Sequence, residues 1–282
     1  MQIETVDSLT DPSGAVNEDR AGFAASLAWV LDGATDIVAP PLVGASTDAD
    51  WLADRLDTEL RRIAAAPPAQ IDMLPDLLCR QMAAAFDRAK RRVPAGRHEH
   101  PSATGIVVRA YERQLDYLAI GDCTLLHDTR GPVERIGIDH DDAGDQWLAT
   151  VIGSIQADDT AATPASTWGK ITSVISANRA RMNMEDGYGS FSITPTPPRF
   201  VVSGTLRVAP GTTLLLASDG LMRLVDVYRR RTAAELLEMA RRKGLRAILA
   251  ELRAIEAADA DCRTYPRAKA RDDATGLLIR LV

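Results

Sequence analysis

The chain has 282 residues, of which 46% are hydrophobic, and its formal net charge is −6. This composition excludes a disordered chain, because it supplies enough apolar side chains for a large core. The net negative charge argues against nucleic acid as a partner. The three cysteines are far apart in the sequence, so they form neither a zinc motif nor a disulfide framework, which is typical of a reducing compartment.

The sequence has no apolar run long enough to span a bilayer, and residues 1–5 do not begin a signal-peptide pattern. We therefore expect a cytoplasmic protein with no membrane insertion.

The first half of the sequence contains two helical patterns between groups of strands. Apolar residues at spacings of three and four indicate the helices, and shorter apolar or alternating runs indicate the strands. In chain order, this half predicts strands at 2–9 and 22–31, helices at 48–66 and 71–92, and an antiparallel meander at 103–110, 114–120, 123–128 and 132–137.

The second half is harder to interpret over residues 138–200, where we predict only a helix near 170–182. After it, the sequence predicts strands at 200–208 and 212–218, helices at 220–228, 232–243 and 245–257, and a last strand at 274–281. Segregated strands and helices favour an α+β fold with two stacked sheets and helices outside. No segment has the composition of a linker, so we predict one domain over 1–282.

Acidic residues recur at the ends of the predicted buried strands. Asp32, Asp122 and Asp219 each follow an apolar run, and Asp272 and Asp273 come just before the last one. A buried carboxylate is costly unless it is paired or bound to a metal. Several converging carboxylates would repel one another, and divalent cations are the simplest remedy.

These acids belong to a series of short motifs in a fixed order. The motifs are Asn17-Glu18-Asp19, Val30-Leu31-Asp32-Gly33, Gly121-Asp122, Ala217-Ser218-Asp219-Gly220 and Arg271-Asp272-Asp273-Ala274-Thr275. In order and approximate spacing they resemble the motifs of the type 2C, or PPM, metal-dependent Ser/Thr protein phosphatases, in bacterial form. The resemblance implies a four-layer α-β-β-α sandwich of two antiparallel sheets, with a cluster of two Mn²⁺ or Mg²⁺ ions at one end.

The resemblance also implies a role for each acid. Asp32 would bridge the two ions, Glu18 and the Gly33 carbonyl would serve the first, Asp219 and Asp272 the second, Asp19 would hold metal-bound water, and Asp122 would serve a third, weaker ion. Asp273 remains an alternative to Asp272. Hydroxide bridging the ions would attack phosphoserine or phosphothreonine in a protein substrate, which would make the partner a phosphorylated signalling protein.

Two positions depart from the family pattern. Gly14 stands where many members have a phosphate-binding Arg, and Ala34 stands where some have a His that protonates the leaving group. Arg20 is our candidate for substrate binding in place of the missing Arg. The departures leave two alternatives open: a slow or non-catalytic regulatory module, and a phosphatase for small molecules.

Two further interpretations concern residues 138–200. The resemblance implies that this segment shapes access to the site as a flap. Arg179 and Arg181 are interpreted as a solvated helix face, with contact to a phosphorylated partner as the alternative.

Overall fold

The computed structural model describes residues 1–44, 46–65, 70–137, 143–159 and 161–282. Its strands are β1 (Ile3–Asp11), β2 (Arg20–Ala24), β3 (Leu27–Gly33), β4 (Ser102–Tyr111), β5 (Gln114–Ile120), β6 (Thr124–His127), β7 (Glu134–Ile136), β8 (Phe191–Ser192), β9 (Val201–Arg207), β10 (Thr213–Ala217) and β11 (Ala274–Leu281). Its α-helices are α1 (Asp48–Ala64), α2 (Leu74–Ala89), α3 (Ala143–Asp158), α4 (Pro164–Arg179), α5 (Asp219–Asp226), α6 (Ala233–Lys243) and α7 (Leu245–Ala258). No helix within the described ranges is long and apolar enough to cross a membrane.

The strands form two antiparallel sheets. The five-stranded sheet has the order β1-β11-β10-β6-β7, and the six-stranded sheet has the order β2-β3-β4-β5-β9 with β8 paired to β4. Three hydrophobic clusters separate the layers: one between α1 and α2 and the six-stranded sheet, one between the two sheets, and one between the five-stranded sheet and α5, α6 and α7. The fold is therefore α+β with four layers, as predicted, whereas the single domain over 1–282 stays a prediction.

The continuous apolar runs of the central strands follow from burial on both faces. In β3, Leu27, Trp29 and Leu31 pack toward the helices, while Ala28 and Val30 pack between the sheets. The strand β10 alternates in the same way, with its odd and even positions divided between two clusters. Side chains point to opposite faces of a strand in turn, so a strand covered on both faces needs an apolar residue at each position.

Helix α1 shows how local sequence fixes an element. Thr47 adopts an extended backbone and its hydroxyl accepts a hydrogen bond from the Asp50 amide, which caps the first turn. Leu52, Leu56 and Leu60 recur at intervals of four and are fully buried against the six-stranded sheet. The predicted start of this helix is confirmed. Its end lies at Ala64, and residue 66 of the prediction is outside the described residues.

Two predictions about the strands are wrong. The segment from 22 to 31 is a hairpin of β2 and β3 rather than one strand, because Ala25 turns the chain with a φ of 51°. The strands from β4 to β7 do not form one meander. Strands β4 and β5 pair in one sheet and β6 and β7 in the other, so the chain crosses between sheets near Gly121, which has a φ of 79°.

The start of α5 lies very close to the start of β11. A Cβ atom added at Gly220 would overlap the Asp273 backbone carbonyl oxygen. By contrast, a Cβ added at Gly169, in the middle of α4, would meet no atom within 4 Å. Of these two glycines, Gly220 is therefore the one whose packing depends on the absence of a side chain.

We predict opposite effects of alanine at these two glycines. Gly220→Ala should lower the free energy of unfolding by roughly 1–3 kcal/mol, because the backbone near Asp273 must shift. Gly169→Ala should raise it by roughly 0.5–1 kcal/mol, because glycine in a helix interior is less favourable than alanine. Urea denaturation of both variants measures the difference. A Gly220→Ala variant with the wild-type free energy of unfolding would contradict the described packing.

Candidate metal and active site

The ends of the central strands in the six-stranded sheet bring two acids together. Asp32, near the end of β3, pairs across the sheet with Thr104 in β4. The Thr104 hydroxyl donates a 2.6 Å hydrogen bond to Oδ1 of Asp122, which follows β5. Asp32 and Asp122 therefore lie at the same end of the sandwich.

The five-stranded sheet contributes acids at that end from β10 and β11. Asp219 is the first residue of α5 and is separated from β10 by Ser218 alone, and Asp272 lies two residues before β11. Two hydrogen bonds join the strands beyond their ladder: the Ser218 amide donates to the Thr275 carbonyl at 2.9 Å, and the Thr275 amide donates to the Ser218 hydroxyl at 3.0 Å. These bonds fix the backbone that carries Asp219.

Asp273 holds the loop between β1 and β2 against this end. Its Oδ1 accepts from the Ser13 amide and its Oδ2 from the Glu18 amide, both at 2.6 Å. The Glu18 carbonyl in turn accepts from the Gly33 amide at 3.1 Å. A Cβ on Gly33 would come within 2.7 Å of that carbonyl oxygen, so this close approach requires glycine. Both carboxylate oxygens of Asp273 thus accept hydrogen bonds from backbone amides. These bonds hold the loop that carries Glu18 and Asp19 at the site.

Asp19 is a buried acid whose carboxylate has no hydrogen-bond partner in the described part of the chain. Its side chain is only 1% exposed, and neither carboxylate oxygen has a hydrogen-bond partner among the described residues. Burial raises the pKa of Asp19 well above its usual range, and Asp273 and Asp219 raise it further. The hydroxyls of Thr275 and Ser218 are near enough to lower this pKa, but neither meets hydrogen-bond geometry, so they leave the carboxylate unpaired.

Asp32 lies at the centre of the acidic group. Burial raises its pKa well above the usual range, and the charges of Asp19, Asp219 and Asp122 add to the effect. The nearby Asp219 carboxyl thus raises the pKa of Asp32 by its charge, and this repulsion is what a bound cation would relieve. The predicted acids Asp19, Asp32, Asp122 and Asp219 therefore influence one another directly.

The chemistry of these side chains fits a hard divalent cation. Carboxylate oxygens are the ligands that Mg²⁺ and Mn²⁺ favour, and three buried ones, both oxygens of Asp19 and Oε1 of Glu18, have no partner within the described residues. A bound cation would supply the missing partner. In the described ranges, however, no three His, Cys, Asp or Glu side chains already surround a common point as a complete ligand set. The acids converge without forming a closed coordination shell.

Asp272 differs from the other acids because it forms ion pairs with two cationic side chains. Its Oδ2 accepts from the Arg223 guanidinium at 2.6 Å and its Oδ1 from the Lys269 ammonium at 3.1 Å. Burial raises the pKa of Asp272, but Arg223 and Lys269 lower it more, so the net pKa lies below the usual value. The fit to a metal is therefore good for Asp19 and Asp32 and poor for Asp272.

Lys269 and Arg179 also contact the site, although neither contact was predicted from the sequence. Lys269 donates a 2.7 Å hydrogen bond to the Thr35 hydroxyl, which itself donates to Oε2 of Glu18 at 2.5 Å. Arg179, the last residue of α4, donates to the Thr35 carbonyl at 2.6 Å. Arg179 is half-buried, so its interpretation as part of a solvated helix face is wrong. Only the position of Lys269, three residues before Asp272, could have suggested its contact.

The prediction that Arg20 binds substrate gains no support from the contacts of its side chain. Its guanidinium donates to the carbonyls of Asn17 and Asp19 and pairs with Asp50 at 2.5 Å. Arg20 therefore braces the loop that carries the acids. A Cβ added at Gly14 would meet nothing within 4 Å, so this position faces open space.

Comparison with solved structures identifies the fold. The chain aligns over its full length with 99% of the Mycobacterium tuberculosis serine/threonine phosphatase PstP/Ppp, at a TM-score of 0.59 and 16% identity. PppA, a regulatory component of the type VI secretion system in Pseudomonas aeruginosa, aligns over 100% of this chain and 99% of its own, at a TM-score of 0.55 and 20% identity. The chain thus has the fold of Ser/Thr phosphatases, as the sequence motifs predicted.

A manganese complex is among the similar structures. The PstP catalytic domain with two manganese ions aligns over 100% of this chain and 99% of its own, at a TM-score of 0.55 and 15% identity. No family model matches the sequence, and no curated protein is similar to it at the sequence level. At these identities the similarity concerns the fold, and the chemistry depends on which residues this chain has at the site.

We predict that the charge of Asp19 destabilises the metal-free protein. The folded-state pKa lies above the unfolded value of about 3.9, so the folded state binds more protons between the two values and stability falls as pH rises through that window. The destabilisation is complete above the folded pKa and absent below about pH 3.9. In EDTA, Asp19→Asn should therefore raise the free energy of unfolding at pH 7 by at least about 1 kcal/mol, the equivalent of about one pKa unit.

Urea denaturation as a function of pH measures this effect. The gain from Asp19→Asn should shrink as pH falls toward 4. Asp54→Asn, at an exposed position of α1, is the matched control and should change stability little at any pH. A constant loss of stability in Asp19→Asn across the pH range would contradict the assignment of an uncompensated buried charge.

Proposed function

We propose that this protein is a Mn²⁺- or Mg²⁺-dependent phosphatase that hydrolyses phosphoserine or phosphothreonine in a protein substrate. The observation that carries the proposal is a group of buried carboxylate oxygens without a partner among the described residues, both of Asp19 and Oε1 of Glu18, beside Asp32 and Asp219. The shared fold with Ser/Thr phosphatases supports the reaction class. A phosphorylated signalling protein in the cytoplasm is the partner that this function would require.

Some residues of the site would hold the metal ion, and others position these ligands. Asp19, Asp32 and Asp219 would hold a divalent ion, with Glu18 and the Gly33 carbonyl at its side. Such an ion supplies Lewis acidity, which activates water near neutral pH and neutralises phosphate oxygens. The chain itself positions these ligands: the Ser218–Thr275 bonds fix Asp219, and Asp273 fixes the loop of Glu18. The weaker ion that the family resemblance implies at Asp122 stays a prediction.

A phosphatase-like module without turnover is the second candidate. Gly14 and Ala34 have no side chain that could bind phosphate or protonate a leaving group. The Arg20 guanidinium already donates to the Asn17 carbonyl in the loop and pairs with the Asp50 carboxylate. Such a module would bind metal and a partner without hydrolysing phosphate.

We predict that the strand-end acids are required for hydrolysis. With p-nitrophenyl phosphate or a phosphothreonine peptide in MnCl₂, Asp32→Asn and Asp219→Asn should each lower kcat/KM at least about 100-fold, because loss of a direct ligand should cost at least as much as loss of a residue that supports one. Asp54→Asn should keep the wild-type rate. Turnover at the wild-type level in Asp219→Asn would contradict the assignment.

The same assay separates the candidate functions. A higher kcat/KM on phosphopeptides than on phosphorylated metabolites supports a protein phosphatase, and the reverse order indicates a small-molecule phosphatase. Manganese binding without hydrolysis of either class of substrate would establish the regulatory module instead.

A further inference from the structure

The acidic site has two ends with opposite charge balance. At one end both oxygens of Asp19 lack a partner within the described residues. At the other end both oxygens of Asp272 are occupied: Oδ2 by Arg223 at 2.6 Å and Oδ1 by Lys269 at 3.1 Å. A divalent cation is needed at the Asp19 end, while the Asp272 end already has two positive charges.

Arg223 is held firmly in this arrangement. It is 9% exposed, and its second terminal nitrogen lies 3.7 Å from Glu256 in α7. Arg253 pairs with Glu256 at 2.6 Å and donates to the Asp272 backbone carbonyl at 2.9 Å. Removing Arg223 from Asp272 would leave a buried charge without its partner, which is costly. The pairing of Asp272 with Arg223 is therefore built into the packing of α5 and α7.

Lys269 extends the positive charge toward the first end of the site. Its ammonium contacts Asp272 and the Thr35 hydroxyl, and Thr35 contacts Glu18. The side chain is 30% exposed, so it borders both the acids and solvent. A divalent ion bound by Asp272 would compete with this ammonium for Oδ1 and would be repelled by both cations.

We propose that Lys269 and Arg223 are resident cations that take the place of a second divalent ion at Asp272, so that the site binds one divalent ion, at Asp19, Asp32 and Asp219. The inference rests on the proposed metal-dependent function and replaces the two-ion set that the resemblance implies. Lys269 is a positioning residue in this scheme: it holds Asp272, Thr35 and Glu18 in place.

Manganese stoichiometry tests the proposal without any measurement of activity. After equilibrium dialysis against MnCl₂, elemental analysis of the wild-type protein should give about one ion per chain. Its electron paramagnetic resonance spectrum should be that of an isolated Mn²⁺ ion, without exchange coupling. Two exchange-coupled ions per chain in the wild type would overturn the proposal.

Variants at Lys269 make the test specific. Lys269→Met removes the charge but keeps most of the side-chain volume, so it should raise the stoichiometry toward two ions. Lys269→Arg should keep one ion. Arg271→Met, two residues away at an exposed position, is the matched control and should also keep one. A folded Lys269→Met variant, checked by circular dichroism, that still binds one ion would overturn the role of Lys269.

The outcomes also distinguish this inference from the proposed function. Two ions in an active wild-type protein would overturn the inference alone. One ion without hydrolysis of any phosphomonoester would support the inference and overturn the phosphatase assignment. A wild-type protein that binds no manganese would overturn both.

Discussion

The buried negative charge at one end of the apolar sandwich is the constraint on which the functional part of this protein depends. Four acids from both sheets meet there, and burial penalises the ionised form of Asp19 and Asp32. The apolar layers that make the fold stable also exclude the water that would solvate these charges. The structure resolves the conflict in two ways: cationic side chains pair with Asp272, and the carboxylate oxygens of Asp19, which have no partner among the described residues, are left for a ligand.

Much of the fold could be predicted from the sequence, because burial on both faces leaves a strong pattern. The run at 214–217 and the last strand at 274–281 are apolar enough to be recognised without their partners. The assignment of strands to sheets could not be predicted in the same way. Strands β5 and β6 are three residues apart in sequence but belong to different sheets, and an apolar run does not state which neighbour it pairs with. Helix α3 was also missed, although its apolar residues between 148 and 155 recur at spacings of three and four.

The residues of the candidate site likewise fall into those that could be predicted from the sequence and those that could not. The acids were predictable because an acidic residue at the end of an apolar run can be recognised from the sequence alone. Their counter-charges were not. Arg223 reaches Asp272 from helix α5, which is distant in the sequence, and the closeness of Lys269 in the sequence does not state that its ammonium contacts Asp272. The choice between Asp272 and Asp273 was open for the same reason. Asp273 proves to accept two backbone amides, and only the placement of the loop at Ser13 and Glu18 reveals this.

Thr35 is the residue whose importance grows most once the structure is known. Its carbonyl accepts from Arg179, its hydroxyl accepts from Lys269, and the same hydroxyl donates to Glu18. Three distant parts of the chain thus meet at one small residue. Among related sequences, a hydroxyl at position 35 should consequently be inherited together with Lys269 and Glu18, because only a hydroxyl can accept from the one and donate to the other. The contact of Arg179 with the backbone carbonyl, by contrast, survives any side chain at position 35.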